Sequence, residues 1–185
     1  MFLGSVSCTP QKVNQSSTDR LYTKSNNELD AKYTIYHVND SISQLFYDIS
    51  NEVLQYKKTD TSNYFYAQIR IELNVSAEDN LSAVSDTASI VLTDKQEDAI
   101  IKQLRGSLFF KLPAGFNYYI NVNVVDRNKK VEYTDNLFSN KTSIEARQNF
   151  LITNARNEVL FSSYYKPDEV VYIQSSRNRE KLFEV

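Results

Sequence analysis

The side chains that could do chemistry are sparse in this sequence. His37 is the only histidine and Cys8 the only cysteine, and tryptophan is absent. A catalytic triad needs a base beside a nucleophile, and a structural zinc site needs several histidine or cysteine ligands. His37 lies between Tyr36 and Val38 in a strand-forming segment, where a hydrogen-bonded structural role is the better interpretation. We therefore predict that the protein is not an enzyme.

Metal and cofactor sites have equally little support in the sequence. Glu78 and Asp79 are adjacent carboxylates beside Asn80, but a hard cation such as calcium needs several converging oxygen ligands, so a solvated acidic turn is favoured. With only three glycines, the chain also lacks a glycine-rich phosphate-binding loop. We expect no metal ion and no cofactor.

Composition restricts the class of partner. The 185 residues suffice for one complete domain with an appendage. Lys and Arg number 21 against 23 Asp and Glu, so the net charge of −2 provides no positive field for nucleic acid. No run approaches the ~20 apolar residues that a membrane-crossing helix needs. Nucleic acid is therefore not an expected partner, and membrane contact would require a lipid anchor.

The elements that would position functional side chains are mainly strands. The segment 112–133 spells a long alternating strand, a polar turn and the start of a return strand. Residues 63–75 alternate in the same way. On one face of the long strand we place an apolar set, namely Phe116, Tyr118, Ile120, Val122 and Val124.

The remaining elements are predicted from shorter patterns. The segment 43–56 fits both strand and helix spacing, and we favour two strands broken near Ser50 and Asn51. A capping pattern at Thr93 favours a short helix over 94–104. The pattern also indicates a first strand from Tyr33, a turn over 77–85, strands over 87–92 and 108–112, a loop over 136–142, and C-terminal strands over 149–153, 158–165 and 170–174.

Together these elements predict a mainly β protein. We expect an Ig-like or fibronectin-type antiparallel β-sandwich over residues 31–138. The region 143–185 has too few strands to close a core alone, so it either docks on the sandwich or opens a second β module. These additional C-terminal strands complete the predicted fold.

Cys8 and the residues around it predict attachment to a membrane. The short apolar run before Cys8 resembles the end of a bacterial lipoprotein signal peptide, so residues 1–8 are interpreted as its remnant. Residues 9–30 are rich in Ser, Thr, Asn and Gln, which is typical of a flexible tether. The predicted location is the cell envelope, lipid-anchored to the outer membrane through Cys8 on either the periplasmic or the surface face. An incidental cysteine in an N-terminal tail is the alternative.

Two groups of aromatic residues mark candidate sites. Tyr118 follows Gly115 by three residues at the head of a strand, where its hydroxyl could tie the preceding loop to the sandwich as a tyrosine corner. Plain core packing of Tyr118 is the alternative. Tyr64, Tyr66 and Tyr119 fall on polar strand faces and would form an aromatic binding surface if their strands are neighbours.

The strand patterns also resemble a known family. The segments NYFYAQIRIELNV, LPAGFNYYINVNVVD and NFLITNARNEVLFSSYY resemble the N-terminal β region of the GWxTD-domain proteins of Bacteroidetes, over about residues 33–185. The naming motif itself is absent because the chain has no tryptophan. The resemblance implies an envelope lipoprotein with a structural or protein-interaction role and an envelope protein as its partner. Glycan binding through the exposed tyrosines is the alternative function.

Two tripeptides suggest modification sites if the chain is exported. Asp40-Ser41-Ile42 and Asp86-Thr87-Ala88 are similar to the O-glycosylation acceptor pattern of exported Bacteroidetes proteins. Ser41 and Thr87 are therefore the expected attachment points, where a glycan would add a bulky, solubilising group.

Overall fold

The fold is defined by a computed structural model that describes residues 29–60, 63–96, 101–162, 164–165 and 169–176. Almost all regular structure in these residues is β, with two single 3₁₀ turns at Asn51–Val53 and Arg147–Asn149. The strands are β1 (Ala31–His37), β2 (Ile42–Ser50), β3 (Lys57–Lys58), β4 (Phe65–Ala77), β5 (Asn80–Lys95), β6 (Gln103–Lys111), β7 (Asn117–Asp126), β8 (Val131–Asn140), β9 (Phe150–Thr153) and β10 (Tyr172–Ser175).

The strands pair antiparallel throughout. The first sheet has the order β1-β2-β6, and the second has the order β5-β4-β7-β8, with the short β3 added to the start of β4. A separate pair, β9 and β10, follows near the C-terminus. The protein is thus mainly β, and its antiparallel sheets form a curled half-barrel.

One hydrophobic core lies between the first and second sheets. Alternate residues of β7 point into it, and Tyr118, Ile120, Val122 and Val124 are all buried, as the period-two pattern predicted. Phe116 is an exception because it precedes β7 and is 48% exposed. From the first sheet the core receives Ile35, Leu45, Tyr47, Ile49, Leu108 and Phe110.

The half-barrel has two seams, one where β1 faces β8 and one where β5 faces β6, and the described strands do not pair across either seam. Side chains bridge both seams. At one seam, Nε2 of His37 in β1 lies 3.1 Å from the carbonyl oxygen of Asn140 in β8. At the other, the carboxylate of Asp86 in β5 accepts the backbone N–H of Lys111 in β6 at 2.5 Å. Each bond therefore gives a backbone group at a sheet edge a partner where strand pairing stops.

The predicted helix over 94–104 is wrong at both of its ends. Asp94 and Lys95 continue β5, and Gln103 and Leu104 begin β6, while residues 97–100 lie outside the described part of the chain. The capping pattern at Thr93 was a weak helix signal, and pairing of β5 with β4 through Lys95 outweighs it. The predicted turn over 77–85 is also too long, because β5 already begins at Asn80.

Three other element boundaries differ from the prediction. The chain does break after Ser50, but a 3₁₀ turn follows instead of a second strand. The predicted loop over 136–142 is largely strand, because β8 continues to Asn140 in register with β7. Residues 158–162 form only an isolated bridge between Val159 and Thr153.

The region after residue 142 lies against β1. The second 3₁₀ turn and β9 both contact β1. Tyr36, which strand alternation places on the face of β1 away from the core, is only 5% exposed. At the N-terminal side, Leu29 is buried in the core although it falls within the predicted tether. Residues 1–28, and with them the predicted leader and most of the tether, lie outside the described residues.

Candidate functional site

A polar cavity of about 300 Å³ lies at the seam between β1 and β8. The turn between β1 and β2 forms one wall, and the segments after β8, before β9 and after β10 form the others. Three of its lining side chains are at least nine-tenths buried, which is unusual for polar groups. The lining residues are His37, Asn39, Asp40, Lys141, Asn149 and Ser176.

Hydrogen bonds at this cavity define the tautomer of neutral His37. The carbonyl oxygen of Asn140 can only accept, so Nε2 of His37 carries the proton. Nδ1 therefore accepts from the hydroxyl of Ser43, at 2.8 Å. Nζ of Lys141 donates to the same hydroxyl oxygen at 3.2 Å. The bonds form one chain from Lys141 through Ser43 and His37 to Asn140, joining β1, β2 and β8.

These hydrogen bonds have a structural role. The hydroxyl among them belongs to Ser43, which is 0% exposed, so a substrate carbonyl cannot reach Oγ while the strands are paired. The Asn149 side chain also donates to two backbone carbonyls, those of Ser143 and Ile144, and so holds the segment before β9. The geometry therefore agrees with the interpretation of His37 as a hydrogen-bonded strand histidine.

The corner before β7 brings Gly115 and Tyr118 together as a structural unit. The Tyr118 hydroxyl donates to the carbonyl oxygen of Pro113 at 2.9 Å, and Tyr118 is only 3% exposed. Gly115 has a φ of +97°, in the region that favours glycine, and its N–H donates to the carbonyl of Lys141. Burial, followed by the nearby charge of Asp79, raises the pKa of Tyr118.

The three tyrosines of the predicted binding surface do not come together. Tyr66 lies near the start of β4, and Tyr119 pairs with Ser76 near its end. Ten residues at about 3.3 Å each separate these levels, which places them roughly 30 Å apart. Tyr64 lies before β4 begins and carries the ammonium of Lys95 3.5 Å from its ring centroid.

Sequence reasoning missed a strip of amides on the outer face of the second sheet. Four polar residues lie side by side in register across β5, β4, β7 and β8, namely Thr87, Asn74, Asn121 and Asn136. The next row toward the corner pairs Tyr119 with Phe138, whose rings are 5.4 Å apart in an edge-to-face arrangement. The alternating asparagines of β7 were a visible signal, but register alone shows which residues join them.

A second polar cluster closes the opposite end of the core. Asp94 is 6% exposed, and its carboxylate accepts from the Tyr56 hydroxyl and lies 2.5 Å from the ammonium of Lys102. Burial opposes the charged form of Asp94, but hydrogen bonds from Lys102, Tyr56 and Asn51 outweigh it and lower its pKa. Burial and the bond to Asp94 raise the pKa of Tyr56 to about 12.

The predicted modification sites occupy different surroundings. Ser41 is exposed in the turn between β1 and β2, whereas Thr87 lies within β5 on the outer face. Cys8 lies outside the described residues. Within the described ranges, no group of three or more His, Cys, Asp and Glu side chains is placed to hold a metal ion. Nor does this part of the chain contain a helix long and apolar enough to cross a membrane.

Comparison of the chain with protein-family models, with curated proteins and with solved structures finds no match.

Proposed function

We propose that the chain folds as an Ig-like or fibronectin-type β-sandwich and serves as a non-enzymatic structural or protein-interaction module of the cell envelope. The order of three strands against four around a shared core supports the sandwich. The hydroxyl of Tyr118, bonded to the backbone five residues upstream at the start of β7, supports it further, because such a corner recurs in these sandwiches.

The observation that carries the interaction role is the exposed arm at the start of β5, residues 80–85. Every residue of the arm is exposed, including Leu81 at 61% and Val84 at 57%. β4 pairs with one edge of β5, and no other strand of the described chain pairs with β5. A free strand edge with exposed apolar side chains is a template on which a partner can add a strand.

Site-specific photo-crosslinking in the host cell tests this role. A photoreactive residue at Leu81 or Val84 should yield one defined adduct with an envelope protein. The matched control is Ile144, which is an equally exposed aliphatic residue (65%) after β8. The proposal fails if the arm gives no adduct, or if the control position gives the same products.

The anchor is tested separately. Lipidation at Cys8 would place the module at the outer membrane, and the GWxTD resemblance agrees with that location. Metabolic palmitate labelling of the protein, with Cys8→Ala as control, should label only the unaltered protein. Absence of label in both would remove the anchor and weaken the family assignment, while leaving the arm open to test.

Glycan binding through Tyr64, Tyr66 and Tyr119 loses its geometric support. Residues at opposite ends of β4 cannot contact one short ligand together. A glycan-binding function therefore requires a different surface.

A further inference from the structure

The outer amide strip provides such a surface, independently of the proposed interaction role. Its central members, Asn74, Asn121 and Asn136, sit in register on adjacent strands, and Thr87 extends the row onto β5. Neighbouring strands are about 4.8 Å apart, so the row runs roughly 14 Å across the sheet.

Strand stability does not account for this row. Asparagine is among the residues that strands disfavour, and Thr or Val would suit the same outer-face positions better. The Asn121 amide donates to the Asn136 carbonyl oxygen at 2.9 Å, which recovers part of the cost. Three neighbouring strand positions therefore carry a residue that strands disfavour. Such a departure from strand preference indicates a function that needs those side chains.

The chemistry of the row selects a class of ligand. Each asparagine carries two donor hydrogens and an acceptor oxygen, which matches hydroxyl groups that both donate and accept. The amide row contains no charged residue, and Glu72, which lies in the next row of the outer face, pairs with Arg70 at 3.3 Å. A neutral ligand rich in hydroxyl groups therefore fits the row better than a polyanion.

The neighbouring row adds an apolar surface. Tyr119 is 42% exposed, and its edge-to-face contact with Phe138 holds the ring beside the amides. Recognition sites commonly combine aromatic surface with a few placed polar groups. A sugar ring presents apolar C–H groups on its faces and hydroxyls around its rim, so it can use both rows at once.

We propose that the strip formed by Asn74, Asn121, Asn136 and Tyr119 binds a neutral oligosaccharide chain. The chain lies across β4, β7 and β8, with one sugar ring on Tyr119 and hydroxyl groups on the amides. No covalent step is involved.

Titration of the isotope-labelled full chain, followed by NMR, tests the proposal. The probes are cellohexaose, xylohexaose, mannohexaose and chitohexaose, with a hyaluronate hexasaccharide as the anionic comparison. At least one neutral probe should saturably shift the side-chain amide signals of Asn74, Asn121 and Asn136, and should bind more tightly than the anionic probe. Preference for the anionic probe, or no shift at this face with any neutral probe at about 10 mM, would overturn the proposal.

Variants separate recognition from folding. Tyr119→Ala, or Asn121→Thr combined with Asn136→Thr, should weaken binding about tenfold, as expected for loss of one or two hydrogen bonds or a ring contact. The threonine variants keep strand propensity, so folding is retained. The matched control is Thr93→Ala. Thr93 lies on the same outer face, in β5 opposite Gln68 of β4 and away from the strip, so this variant should bind normally. Equal loss in the control, or no loss in the variants, would refute the assignment.

Discussion

Replacing Tyr118 with phenylalanine removes one oxygen atom from the corner before β7. The ring is 3% exposed and packs in the core, and phenylalanine keeps that packing. The lost group is the hydroxyl that donates to the Pro113 carbonyl at 2.9 Å. An intramolecular hydrogen bond contributes about 0.5 to 1.5 kcal/mol, and the upper end of this range applies because the Tyr118 side chain that donates the bond is buried. We expect Tyr118→Phe to lower the free energy of unfolding by about 1.5 kcal/mol.

Urea unfolding measures this effect. The midpoint should fall while the slope of the free energy against urea stays unchanged, and the melting temperature should drop by about 3 to 6 °C. Tyr119→Phe is the matched control, because the next residue along β7 is 42% exposed and its ring contact with Phe138 would remain. That variant should stay within about 0.5 kcal/mol of the unaltered protein. If both variants behave alike, the corner bond does not stabilise the fold.

Three further variants probe single features of the structure. Gly106→Ala should destabilise the protein by about 1 to 3 kcal/mol, because a Cβ atom there would lie 2.6 Å from Cζ of Tyr47; a Tyr47→Leu change should relieve much of the loss in thermal unfolding. Gly115→Ala should cost about 1 to 2 kcal/mol in the same assay, since its φ of +97° strains any side chain although the space around it is open. Asp94 has a lowered pKa, so its stabilising charge is present above the ordinary value of 3.8 and is lost as the pH falls through the lowered pKa. Unfolding measured from pH 5 to pH 2 should therefore lose stability less steeply in Asp94→Asn than in the unaltered protein, and equal slopes would contradict this role of Asp94.

The alternation of apolar and polar residues made two long strands of the core predictable from the sequence. The segment 63–75 matches β4, and the segment from Leu112 to Tyr133 contains β7, its turn and the start of β8. Each of these strands has one face in the core, so burial imposes a period of two that the sequence displays. The mainly β fold followed from this pattern.

Other features depend on contacts between distant residues. The helix predicted over 94–104 was a local interpretation, and pairing of Lys95 with Tyr66 of β4 overrides it. Asp126 lies beside the polar turn predicted within residues 112–133, yet it is buried. Its carboxylate accepts the backbone N–H groups of Gln55, Asn128 and Lys129. Sequence spacing does not show that residues 55 and 126 meet.

The prediction of sites was limited most strongly by the pairing register between neighbouring strands, which the sequence alone does not give. The sequence placed Tyr66 and Tyr119 on polar faces of two strands, and β4 and β7 are indeed neighbours. Whether two such residues touch depends on which positions pair, and pairing is set by the complete sheet. The same register that separates these tyrosines assembles Asn74, Asn121 and Asn136, which lie 47 and 15 positions apart along the chain.

The protection of the sheet edges distinguishes the arm at residues 80–85 from the rest of the structure. On β8, Gln148 donates to the Phe138 carbonyl, and His37 covers the Asn140 carbonyl. Asp135 points inward from the same strand, and burial raises its pKa. Side-chain caps and inward charges are devices that prevent edge-to-edge pairing. Asp86 caps a backbone N–H of β6 beside the arm, but the arm itself is fully exposed and includes the apolar side chains of Leu81 and Val84. A partner strand on this edge would explain that exposure.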